Sequence, residues 1–168
     1  MKVVLDAGPI VALSKAGQLG LLPQLFDEVV VPQSVIAEVA GLGEARPGAE
    51  IATVPWAQVK ADAAGRRKVQ ERRRLGDGEA EAIALAQQDA AGTYLLIDDD
   101  RGFKAAARLG IQTVRSGAIL VMAVSAGLIT AEVAEQALAI FRKEHYISTS
   151  VERAILDLLQ EVMQQGRE

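Results

Sequence analysis

Short runs of β-branched and aliphatic residues alternate along this chain with longer alanine- and leucine-rich stretches, the pattern left by buried strands that feed crossover helices. The strand-like runs are 2–6 (KVVLD), 28–31 (EVVV), 51–54 (IATV), 94–98 (YLLID) and 111–114 (IQTV). Helices are predicted near 9–22, 33–41, 57–74, 78–91, 101–109, 116–127, 130–144 and 149–165. Pro32 opens the second of these, where a missing N–H costs nothing, and Gly92 and Gly110 fall just past helix ends, where a left-handed residue is wanted. The stretch GLGEARPGAE (41–50) reads as a loop, the one segment with the composition of a mobile one. From residue 116 onward only helices follow. The expected fold is α/β, as a single domain over 1–168 with a core at 1–125 and a helical C-terminal extension at 126–168.

Composition narrows the chemistry. At 168 residues, half of them hydrophobic, the chain can bury one sizeable core but not two comfortable ones. It has no cysteine, which removes disulfides, thiolate zinc sites and thiol nucleophiles together. Its start lacks the pattern of a signal peptide, and its apolar runs stay below the ~18 residues that span a bilayer, so a cytoplasmic protein without membrane association is expected. The net charge of −4 gives no global field to attract a polyanion. Nucleic-acid binding would need a local basic patch or bridging metal ions. One such patch exists in GRRKVQERRRLG (65–76), where Arg66, Arg67, Lys68, Arg72, Arg73 and Arg74 put six basic residues within nine. It reads either as a solvated helix face or as a surface that tracks RNA phosphates or receives an acidic partner. Trp56 is expected in the core, and the sole histidine, His145, lies far along the chain from every acidic motif.

The acids fall at informative places. Asp6 ends the first strand, and the run Asp98, Asp99, Asp100 ends the fourth. If these strands are parallel neighbours, both groups meet where ligands bind in open parallel sheets, beyond the carboxyl ends of the strands. Glu38 flanks the apolar face of the helix after strand two, and GDGEAEAIALA supplies Glu79 and Glu81 just after glycines that permit close approach. Taken singly, each acid is an ordinary cap or surface residue. Converging in a partly dry cleft, they would repel one another until protonated or neutralised by a cation. Oxygen ligands without Cys or His favour Mg2+ or Mn2+ over zinc, and such ions serve phosphodiester hydrolysis. Phosphoacceptor chemistry fits poorly, because position 8 is glycine and residues 7–13 hold no acid. No G-x-x-x-x-G-K-[ST] loop is present.

Four motifs in order, VLDAGPIVALSKAG, VPQSVIAEV, GDGEAEAIALA and LLIDDDRGF, resemble the PIN-domain family of metal-dependent ribonucleases, most closely its VapC toxin type and a related branch with DAGP and GEAEA forms. The resemblance implies a three-layer α/β/α fold with a central parallel sheet of about five strands. It also implies three or four acids that hold one or two Mg2+ or Mn2+ ions to cleave single-stranded RNA, with an antitoxin protein and a homodimer as partners. Matched residue by residue, it assigns Asp6, Glu38, Glu81 and Asp99 as catalytic metal ligands. Glu79 is a rival to Glu81, because on a helix it faces the same side as Ile83 and Ala86. Asp98 or Asp100 could stand in for Asp99. The competing reading is a catalytically inactive PIN-like binding or assembly module.

Overall fold

The computed structural model describes residues 1–41 and 46–165. Five parallel strands, β1 (Lys2–Leu5), β2 (Glu28–Pro32), β3 (Ala57–Lys60), β4 (Thr93–Leu96) and β5 (Gln112–Val114), form one sheet in the order β3-β2-β1-β4-β5. The helices are α1 (Ala7–Lys15), α2 (Leu22–Leu25), α3 (Gln33–Ala40), α4 (Ala63–Arg72), α5 (Asp77–Gln87), α6 (Asp100–Ala107), α7 (Ser116–Ser125), α8 (Ala131–Lys143) and α9 (Thr149–Gln165). They cover both faces of the sheet, giving the three-layer α/β/α arrangement.

The strands are apolar on both sides because both sides are covered. Val3, Leu5, Val29, Val31 and Leu96 point to one face, where they meet Ile10 and Leu13 of α1, Val35 and Val39 of α3, and Ile119 and Leu120 of α7. Phe141 of α8 and Ile155 and Leu159 of α9 belong to the same cluster, so the helical tail packs into the main core. Val4, Val30, Leu95 and Ile97 point the other way, onto α5, Val69 of α4, and Ala105 and Ala106 of α6. Alternation with a period of two divides one apolar run between two cores. Helix α5 is buried almost all round, since the sheet, α3, α4 and α6 all touch it. Small residues let α4 come close: a Cβ on Gly65 would stand 2.9 Å from that of Ala84.

Three expectations need correction. The run IATV (51–54) is not a strand. Residues Ala49–Ala52 form a 3-10 turn after Gly48, whose φ of +96° is left-handed, and the turn plugs Ile51 into the core. Pro55, ending that run, cannot donate to a ladder. The strand beside β2 is instead AQVK, at the start of the stretch expected to be helix 57–74; the helix itself is shortened to α4. As an edge strand with half-exposed faces β3 needs little apolar character, and Lys60 pairs with Glu28 at 2.7 Å. Helix 9–22 is likewise interrupted, as α1, a 3-10 turn at Leu19–Leu21 and α2. Of the expected loop 41–50, residues 42–45 lie outside the described residues.

The strand order fixes where a ligand can sit. From β1 the chain proceeds outward through β2 and β3, then returns to place β4 on the other side of β1. Strands β1 and β4 pair directly, from Lys2 opposite Thr93 to Leu5 opposite Leu96. Crossovers leaving on opposite sides open a crevice between these strands at their carboxyl ends. Asp6 and Asp98 stand at its two lips.

Candidate functional site

Asp6 directly follows β1 in extended conformation, at the N-cap position of α1, yet its side chain makes no capping hydrogen bond. It is 7% exposed. Burial pushes its carboxyl up to about 7, against the pull of the Ala7 amide, and the negative charges of Glu79, Glu38 and Asp98 push further. Among the described residues no cationic side chain pairs with it. A buried carboxylate surrounded by others and spent on no cap is costly unless something neutralises it.

The charges of Glu38, Glu79 and Asp98 bear on Asp6, and Asp99 stands beside Glu79. Glu38, exposed on α3, reaches toward α5 over Gly78. A Cβ at Gly78 would lie 2.8 Å from Glu38 Oε2, 3.1 Å from Val35 Cγ2 and 3.9 Å from Asp6 Oδ1. Glycine at that point keeps open a cradle between a carboxylate of α3 and one at the end of β1. Glu79 follows in the first turn of α5, with Oε2 accepting the Gly76 N–H at 3.1 Å. Burial raises its pKa against that bond, and the Asp99 carboxylate beside it raises it further. Asp99 caps α6, its Oδ2 accepting the Arg101 and Gly102 N–H groups at 2.8 and 2.9 Å. Gly102 allows this approach, since a Cβ there would be 3.4 Å from Glu79 Oε1 and 2.4 Å from Ile97 Cδ1.

The other acids are engaged elsewhere. Glu81, 2% exposed, is held away from Asp6: its Oε2 accepts the Ser34 N–H at 2.7 Å and its Oε1 the Asp62 N–H at 2.9 Å. Burial would raise its pKa, but these bonds and the nearby Arg66 charge outweigh it and leave it lowered. Glu81 therefore ties the first turn of α3 to the start of α4. Asp98 is partly buried and accepts the Ser116 N–H at 2.9 Å and the Ser116 hydroxyl, joining the end of β4 to α7; desolvation nonetheless raises its pKa. Asp100 pairs with Arg115 at 2.6 Å on the surface.

The structure thus gathers Glu38, Glu79 and Asp98 around Asp6, reaches Asp99 through Glu79, and leaves Glu81 and Asp100 engaged elsewhere. As the side chains stand, no three of them among the described residues close on a point where an ion would touch all three. The donor set nevertheless suits a hard divalent cation: all-oxygen, like-charged, with one member buried and the Gly78 cradle between two of them.

The basic stretch divides. Arg66 turns inward, donating to Ser34 Oγ at 2.9 Å and lying 3.7 Å from Asp77, with its Nε buried and unpartnered. Arg67 is exposed. Lys68, Arg72 and Arg73 line a depression of about 410 Å3 between α4 and α5, and Arg73 and Arg74 line a second that also takes in Arg101, Lys104 and Arg108 of α6. The α6 cations were outside the sequence reading; their spacing at i, i+3 and i+7, one helix face, was the available signal. Trp56 packs partly buried against the main core.

A family model described as a PIN domain matches residues 2–161, nearly the whole chain. No curated protein and no solved structure gives a significant match. No helix among the described residues is long and apolar enough to cross a membrane.

Proposed function

This chain belongs to the PIN-domain family, and on that premise we propose that it is a Mg2+- or Mn2+-dependent endoribonuclease that hydrolyses phosphodiester bonds of single-stranded RNA. The observation that carries this reading is Asp6: a buried, uncapped, unpaired carboxylate at the crevice between β1 and β4, with Glu38, Glu79 and Asp98 around it and Asp99 next to Glu79. Asp6 and Glu38, on either side of the Gly78 cradle, are the residues that would hold the cation, with Asp99 completing the set. Bound there, magnesium or manganese supplies charge stabilisation at a phosphate oxygen and acidifies water. Glu79, its pKa raised by burial and by Asp99, is suited to accept a proton from the attacking water. Asp99 is kept in one orientation by the two α6 amides on its Oδ2. Glu81 serves the architecture, holding α3 and α4 around the crevice.

The test is cleavage of an unstructured RNA with manganese and with EDTA. Cleavage should need manganese, disappear in Asp6→Asn and Glu79→Gln, and survive in folded Glu81→Gln. Equal cleavage in EDTA, or by Asp6→Asn, would refute the assignment. The second reading is a PIN-like module that binds without cleaving; it predicts no manganese binding that depends on Asp6. The enzyme reading extends to a cytoplasmic toxin neutralised by an antitoxin protein and to a homodimer. Val151 and Leu158, exposed on α9 beside an apolar groove with α7, support a protein partner there. Growth arrest on expression, relieved by the product of an adjoining reading frame, tests the toxin role, and sedimentation tests the dimer.

A further inference from the structure

Beside the acid crevice lies a second concentration of charge, of the opposite sign. Arg73 and Arg74, in the link from α4 to α5, share a depression of about 240 Å3 with Arg101, Lys104 and Arg108 of α6; Leu75 and Ala105 complete its lining. Among the described residues no carboxylate lines it. Among the described residues none of these five cations is paired with a carboxylate. The Arg101 guanidinium donates to the Arg74 carbonyl, which fixes the two walls relative to each other. Five like charges held around one hollow repel one another and raise the local potential well above that of this otherwise acidic surface, so the hollow is suited to a ligand with several negative charges.

Its position says which polyanion. Arg101 lies two residues beyond Asp99, and its backbone N–H is one of the two that fix the Asp99 carboxylate. One end of the hollow therefore abuts the crevice. At the other end Arg73 also lines the depression that holds Lys68 and Arg72, with Asp62 on its wall already accepting from the Gly65 N–H and Gln88, so cations continue onto α4. No aromatic residue lines either depression, which leaves no stacking platform for bases. Guanidinium forks match phosphate oxygens, and a track of them reads a backbone rather than a sequence.

We propose that Arg101, Lys104 and Arg108, with Arg73 and Arg74, form a phosphate-binding subsite that holds the backbone of single-stranded RNA beside the acid crevice and leads the strand into it. The subsite rests on the reading of that crevice as a ribonuclease centre. It adds the direction of approach, along α6 and then α4, and makes binding independent of sequence. An acidic protein segment could satisfy the same charges, but it would gain nothing from ending at a cation-holding crevice.

The experiment measures binding of labelled polyuridylate RNA by fluorescence anisotropy in EDTA, where no cleavage occurs, across a potassium chloride series. The triple variant Arg101→Gln, Lys104→Gln, Arg108→Gln should bind at least about tenfold more weakly at 0.1 M salt, and its plot of log affinity against log salt should be shallower by about 2, at roughly 0.7 per phosphate contact. All three side chains are exposed, and thermal melting checks that the fold is kept. The double variant Arg73→Gln, Arg74→Gln probes the opposite wall and should weaken binding in the same direction. Unchanged affinity and slope in both charge variants overturn the subsite. Polyglutamate competing as well as unlabelled RNA of equal charge also overturns it, in favour of an acidic protein segment. Wild-type protein that binds in this way yet does not cleave when manganese is added sinks the nuclease reading alone, whereas manganese-dependent cleavage with an unchanged triple variant sinks the subsite alone.

Discussion

Replacing Asp6 by asparagine should stabilise the protein when divalent ions are absent and remove much of its pH dependence. In the folded chain the carboxyl is raised from 3.8 to about 7, by burial first and then by its acidic neighbours. Between those two values the native state binds a proton that the unfolded chain has released. Stability therefore falls as pH rises through that window, because its slope follows the protons bound by the unfolded state minus those bound by the native one. At 1.36 kcal/mol per pKa unit, full ionisation costs on the order of 4 kcal/mol. The amide has nearly the same shape and no charge to desolvate. At about pH 8 in EDTA the Asp6→Asn variant should thus exceed wild type by roughly 2–4 kcal/mol, and the two should converge near about pH 4. Urea unfolding followed by circular dichroism at a series of pH values measures this directly. Manganese should close most of the gap: at 100 times Kd it adds about 2.7 kcal/mol to wild type and little to the variant. Parallel pH curves, or an equal manganese response, would refute a buried carboxylate that awaits a cation.

Two other substitutions separate the roles of the acids. Glu81→Gln should cost roughly 2–3 kcal/mol in urea unfolding, because the amide cannot accept from both the Ser34 and Asp62 N–H groups, while the manganese response persists. Since Glu81's folded pKa is lowered, its contribution is present above its unfolded value of 4.5 and lost as pH falls, opposite in sign to that of Asp6. Gly78→Ala should leave the protein folded but shrink the manganese-induced rise in Tm, because the new methyl displaces the mobile end of Glu38 from the cradle and presses on Val35; an undiminished rise would take Glu38 out of the metal set.

What was legible in the sequence follows from how each residue is used. Strands β1 and β4 are buried on both faces, so they read as nearly unbroken apolar runs, and the acids at their ends stood out. Strand β3 did not, because an edge strand with exposed Val59 has no period to detect, and Ile51 gave IATV a strand's composition for the sake of one plug into the core. The choice between Glu79 and Glu81 was beyond a helical wheel, since α5 is surrounded and has no polar face to mark. Only tertiary packing shows Glu81 spent on two backbone amides and Glu79 left beside Asp99. The cations of α6 join those after α4 across the fold, through space, so neither group announced the other.

The pairing of β1 with β4 also governs when the crevice can exist during synthesis. Lys2 finds its neighbour at Thr93, and Leu5 at Leu96, so the first strand emerges from the ribosome long before its partner. Until then Val3, Val4 and Leu5 have only β2 to lean on, and Asp6 has no opposing lip. Closing so long a loop is entropically slow, and the core on that face stays open until α8 and α9 bring in Phe141, Ile155 and Leu159. A nascent or prematurely terminated chain therefore lacks an assembled centre. The same delay leaves an apolar strand exposed during translation, where a chaperone or an early-binding partner segment has its best opportunity to intervene.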